Sequence, residues 1–80
     1  MRQKIKIAIL KGLLAADGTP MPDAALNGLG VMVHPQPPLA EIISVKKEME
    51  TEGFIAGATD GLGILSWTLT VKGKHQAQQI

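Results

Sequence analysis

The run LSWTLTVKGK, residues 65–74, changes its period partway along, and no other feature constrains the fold as much. Leu65, Trp67 and Leu69 alternate with Ser66 and Thr68, which is the pattern of a half-buried antiparallel strand over Ile64–Leu69. After Thr70 the alternation stops. Thr70 is placed to cap a short C-terminal helix, with Val71, Ala77 and Ile80 as its expected anchors. Gly73 in the first turn of that helix costs about 1 kcal/mol relative to Ala, and is tolerated if another group packs closely against it. Upstream, Phe54–Thr59 reads as the partner strand. Asp60-Gly61 reads as the turn, because Asp-Gly is the pair that a type I′ hairpin favours.

The rest of the chain carries the helical period. Over residues 3–16, Ile5, Ile9 and Leu13 form one line and Ile7, Leu10 and Leu14 an adjacent one. Lys4, Ala8, Lys11 and Ala15 lie opposite. Asp17-Gly18 is the expected stop, with Gly18 as the left-handed residue. Thr19–Pro22 runs extended, since residues before proline avoid the helical region, and Met21 points inward. A short helix over Asp23–Leu29 takes Asp23 as its N-cap. The loop VHPQPP, residues 33–38, holds three prolines, which forbid a regular helix or a central strand. Pro38 suits the first position of the next helix, Leu39–Thr51. In that helix Leu39, Ile42, Val45 and Met49 form the inner stripe, with Ile43 beside it, and Gly53 is the stop. Together these give one domain over residues 1–80, α+β in class and mostly helical.

Composition narrows the function. An 80-residue chain buries only ~60% of its unfolded surface, and with no cysteine it has neither a disulfide nor a thiolate metal site to help. At 45% hydrophobic and 19% charged it is globular rather than disordered. One Trp, one Phe and no Tyr disfavour a platform for stacked bases. A net charge of +1 is no strong electrostatic footprint. MRQKIKIAILKGLLAADG starts basic and apolar, but Lys11 and Gly12 interrupt it, so it reads as an amphipathic helix rather than a leader. No run approaches the ~20 apolar residues of a membrane span, and the expectation is a cytoplasmic protein with no membrane partner. His34 and His75 are the only histidines and have no ligand spacing around them, so no metal or cofactor is expected. Ser44 and Ser66 lie in no nucleophile elbow, and Asp17, Asp23 and Asp60 have cap or turn roles, so no enzyme is expected. HPQPP reads as a stiff connector before it reads as a polyproline ligand. DGLGILS opens a strand rather than a helix, so it is turn chemistry rather than a phosphate loop.

Two segments, KKEMETEGFI (46–55) and WTLTVKGK (67–74), resemble the winged helix-turn-helix family of small bacterial and phage regulators. The resemblance implies a winged helix with a three-helix core, a two-stranded β-hairpin wing and a short C-terminal helix. It also implies binding to double-stranded DNA, as a dimer, in transcriptional control. The helix at 39–51 would enter the major groove, and the wing tip, Thr59–Gly63, would touch the neighbouring backbone or minor groove. By position, the nucleic-acid candidates are Gln36, Ser44, Lys46 and Lys47, with Lys72 and Lys74 holding the backbone. Trp67, on the inner face of the wing, is expected in the core.

Charge keeps a second reading open. Residues 39–52 set Lys46 and Lys47 against Glu41, Glu48, Glu50 and Glu52, and the wing tip has Asp60 and no Lys or Arg. DNA affinity rests on basic residues neutralising phosphates. A winged helix used as a protein-interaction module fits this charge better, with surplus apolar residues such as Val31, Met32 and Ile43 left for a protein partner or a second copy. Arg2, Lys4, Lys6 and Lys11 at one end of the chain, and Lys72 and Lys74 at the other, form a basic patch if the termini meet. Otherwise they are ordinary solvated lysines.

Overall fold

Proline and glycine divide the chain into seven elements in the computed structural model, which describes residues 2–16 and 18–80. In order they are α1 (Arg2–Ala15), β1 (Met21–Pro22), α2 (Asp23–Val31), α3 (Leu39–Thr51), β2 (Ile55–Thr59), β3 (Leu65–Leu69) and α4 (Val71–Gln78). Pro22 and Pro38 sit at the N-caps of α2 and α3 in extended geometry, so Pro38 precedes the helix rather than occupying its first position. The expected stop of α1 at Asp17 lies outside the described residues, while Gly18 is left-handed with φ +83°. Gly53 is likewise left-handed after α3, where the stop was expected.

α1 packs against α2, α3 and α4, and its Ile5, Ile9, Leu10 and Leu13 meet Leu26 of α2 and Ile42, Val45 and Met49 of α3 in one core. Ile55, Trp67 and Ala77 close that core from the strands and from α4. Trp67 is 6% exposed, which agrees with its expected place. One residue of the expected α3 stripe is outside it, Leu39 at 53% exposed, and Ile43 beside the stripe is 44% exposed. Lys46 occupies the stripe instead, one turn on from Ile42 and one turn before Met49, and is 5% exposed.

The sheet is antiparallel and three-stranded, in the order β1-β3-β2, rather than a two-stranded hairpin alone. β1 adds Met21 opposite Trp67 and Pro22 opposite Ser66. The β2–β3 ladder runs from Ile55↔Leu69 to Thr59↔Leu65. The turn between them is not type I′, which needs two central residues with positive φ. It is a five-residue loop, 60–64, in which the Asp60 carboxylate accepts from the amides of Leu62 (2.8 Å) and Ile64 (3.0 Å), and Gly63 takes the left-handed position at φ +79°. Asp60 therefore organises the turn through its side chain.

α4 begins as expected. The Thr70 hydroxyl accepts from the Gly73 N–H at 3.0 Å, and Thr70 also donates to the carbonyl of Gly53. A Cβ on Gly73 would collide with the Phe54 carbonyl oxygen, so the glycine lets the helix backbone lie directly on the start of β2. The buried seam of α4 is Gly73 and Ala77. Val71, 89% exposed, and Ile80, 43% exposed, do not serve as the expected anchors. No helix among the described residues is long and apolar enough to cross a membrane.

Candidate functional site

Each face of α3 has a different neighbour. Ile42, Val45 and Met49 point into the core. Ser44, Glu48 and Glu52 turn toward the first turns of α1. There Arg2 pairs with Glu48, while Lys6 donates to Glu48 at 2.8 Å and to Glu52 at 3.2 Å. These hydrogen bonds, from Lys6 first and then Arg2, hold the Glu48 carboxyl down at about 2. The Lys6 ammonium is correspondingly pushed up, mainly by Glu48. Two glutamates one turn apart thus meet two cations one turn apart, a match the sequence contains as Arg2/Lys6 against Glu48/Glu52. It was missed because no local rule says which helices will face each other.

On another side of α3, Lys46 Nζ donates to Asp23 Oδ1 at 2.6 Å, and the Trp67 indole N–H donates to the same oxygen at 2.8 Å. Asp23 is therefore not a helix cap: no side-chain cap bond is made at α2. Its carboxylate instead ties the start of α2 to α3 and to β3. The bond from Lys46, and then that from Trp67, lowers the Asp23 pKa below its ordinary value.

Between this tie and solvent lies a groove of about 350 Å³, walled by Ile43, Lys46, Lys47 and Glu50 of α3 and by Gly57, Leu65 and Trp67 of the hairpin. Asn27 reaches its floor, and the Asn27 Oδ1 is buried with no hydrogen-bond partner among the described residues. Beyond the groove the hairpin tip leaves Leu62 (85%) and Ile64 (49%) in solvent.

The nucleic-acid candidates are dispersed over this architecture. Gln36 is exposed in the loop after the cis His34–Pro35 bond. Ser44 is exposed and accepts from Arg2 at 3.4 Å. Lys46 is inside, held by Asp23. Lys47 is exposed on the groove wall. Lys72 donates to the Glu52 carbonyl at 2.8 Å, with its ammonium 4.8 Å from the centre of the Phe54 ring. Lys74 lies beside Leu13, Leu14 and Leu69, in a different depression from the groove. Of the N-terminal basic residues, Arg2 and Lys6 are matched by α3 glutamates, while Lys4 donates to the His34 carbonyl at 3.4 Å and Lys11 is exposed. No group of three or more His, Asp or Glu side chains among the described residues could hold a metal ion.

No family model matches the chain, and no curated protein matches it either.

Proposed function

We propose that the chain is a winged-helix domain used as a protein-interaction module, and that it docks its partner on the face made by α3 and the hairpin. The observation that carries this is the chemistry of that face. Its groove has apolar walls in Ile43, Leu65 and Trp67, flanked by one exposed lysine, Lys47, and one exposed glutamate, Glu50. Burying such a mixed apolar surface against another protein removes it from water at about 25 cal/mol per Å². A row of phosphates would find few cations there, because Lys46 is held by Asp23.

The order of elements favours a second reading, double-stranded DNA binding in the transcriptional control of a bacterium or phage. A helix, a short strand, two helices, a hairpin and a final helix match the layout that the sequence resemblance implies. In that reading Lys47, Ser44 and Gln36 approach the duplex and Lys72 and Lys74 hold its backbone.

NMR titration of labelled protein with a random-sequence duplex, at low and moderate salt, separates the two. The interaction reading expects no shifts on residues 36–51 at either salt. Shifts that cluster there and fade as salt rises would replace it with the DNA reading.

A further inference from the structure

Three pairs in the chain place an Asp or Asn directly before glycine: Asp17-Gly18, Asn27-Gly28 and Asp60-Gly61. In such a pair the glycine amide nitrogen can attack the carbonyl carbon of the preceding side chain, since glycine has no side chain to crowd the approach. Asp17 lies outside the described residues. The other two pairs sit in opposite settings. Asn27-Gly28 is inside α2, Asp23–Val31. A helix holds its amides in the i→i−4 ladder and points its side chains back toward its N-terminus, away from the amide that follows. Asp60-Gly61 is in the loop 60–64, where every residue is exposed. The Gly61 N–H bonds no acceptor among the described residues.

The loop also prepares the carboxyl group. Asp60 Oδ1 accepts the amides of Leu62 (2.8 Å) and Ile64 (3.0 Å), so the side chain is turned toward the backbone that follows it, where the Gly61 nitrogen lies. Two amides on one oxygen stabilise the negative charge that builds there when a nucleophile adds to Cγ. The second carboxyl oxygen, Oδ2, bonds no donor among the described residues and is free to leave. We propose that Asp60-Gly61 is a site of spontaneous self-modification, at which the chain converts through a cyclic imide to an isoaspartyl linkage at the tip of the hairpin.

In the first step the Gly61 nitrogen forms a bond to Asp60 Cγ and gives up its proton. The Cγ–Oδ2 bond breaks, and that oxygen leaves as water, carrying the amide proton and the proton of the carboxylic acid. In the second step water adds to the ring. Opening at Cγ restores aspartate. Opening at the main-chain carbonyl of Asp60 breaks its bond to the Gly61 nitrogen, so the chain runs through the former side chain and the former main-chain carbonyl becomes the free carboxylate. No oxidant or reductant is needed, and water is the only reactant. The product lengthens the backbone by a methylene and consumes the carboxylate that gathers Leu62 and Ile64, so the loop loses the group that organises it. The fold does not demand glycine at 61: its backbone is not left-handed, and a Cβ there would meet open space. Its missing side chain serves the reaction rather than the turn.

Holding the protein in heavy-oxygen water at neutral pH, then locating the label by peptide mapping and tandem mass spectrometry, tests this. Each ring opening writes a heavy oxygen into the residue. The expected result is label on Asp60 in the native protein, slowed several-fold in Gly61→Ala, with far-UV circular dichroism as the check that the variant folds. Asn27 is expected to keep its mass in the native protein and to change it only when urea unfolds the chain. Because Asp17-Gly18 is the same pair of residue types, only label assigned to residue 60 counts. Label on Asp60 in urea but not in the native protein overturns the proposal, and so does no label in either. Uptake that Gly61→Ala leaves unchanged overturns the cyclic route. Loss of the Asn27 amide in the native protein, faster than uptake at Asp60, overturns the selectivity of the loop.

Discussion

The sheet has two edges built on opposite principles. The β1 edge is two residues long, ends in Pro22, and is tied down at once by Asp23, which holds Lys46 of α3 and Trp67 of β3 on a single carboxylate oxygen. The β2 edge is five residues long, uncharged and made mostly of small residues, buried at Ile55 and exposed from Ala56 to Thr59. One edge is closed by sequence and by a polar tie, while the other is open over its last four residues. A small domain with limited core needs either more internal ties or a partner. In this chain the side-chain ties gather at β1, and the exposed residues of β2, Ala56 to Thr59, carry none among the described residues.

Three substitutions probe this asymmetry and a fourth stands apart from it, from the largest effect to the smallest. Trp67→Ala removes the ring that packs under both edges and should cost about 3–5 kcal/mol in chemical denaturation; a near-neutral result would deny Trp67 its place in the core. Gly73→Ala strikes only the β2 side, where the added methyl meets the Phe54 carbonyl, and should cost about 2–3 kcal/mol, read from the shift in thermal midpoint. Asp23→Ala strikes only the β1 side. It leaves the Lys46 ammonium and the Trp67 N–H without their acceptor, for a loss of about 1–3 kcal/mol, moderated because Asp23 is partly open to water.

The smallest effect belongs to Glu48, away from both edges. Its folded pKa, about 2, lies below the ordinary 4.5, so its contribution is complete above 4.5 and is lost as pH falls toward 2. Glu48→Gln should flatten that acid limb in pH-dependent melts, and only slightly, because the pair is exposed. Asp23 shifts in the same direction, so Asp23→Asn is the companion that apportions the slope.

Much of this was legible beforehand. The bounds of α3 follow from Pro38 and Gly53, and the Thr70 cap with a tightly packed Gly73 follows from the change of period at residue 70. Other features were not legible, for identifiable reasons. β1 is too short to show alternation, and only its pairing with Trp67 makes it a strand. Asp60-Gly61 matched a turn type by composition, but the Asp60 carboxylate gathers two amides and builds a longer loop. Of the expected anchors of α4, Ala77 is buried while Val71 and Ile80 are not, because close approach of backbone selects small residues, Gly73 and Ala77, for the seam. At the site, Lys46 was placed among DNA contacts by its position in a resembling segment. Its spacing from Ile42 and Met49 already put it on the buried stripe, and a lysine there requires an internal carboxylate. In the sequence Asp23 has the position of a helix cap, which hides it as that carboxylate.

Amide hydrogen exchange tests the contrast between the two edges most directly. The account predicts that Gly57 and Thr59, whose amides point away from β3, exchange rapidly, while Ala56 and Ala58, bonded to β3, stay protected. Protection at Gly57 and Thr59 equal to that at Ala56 and Ala58 would contradict it.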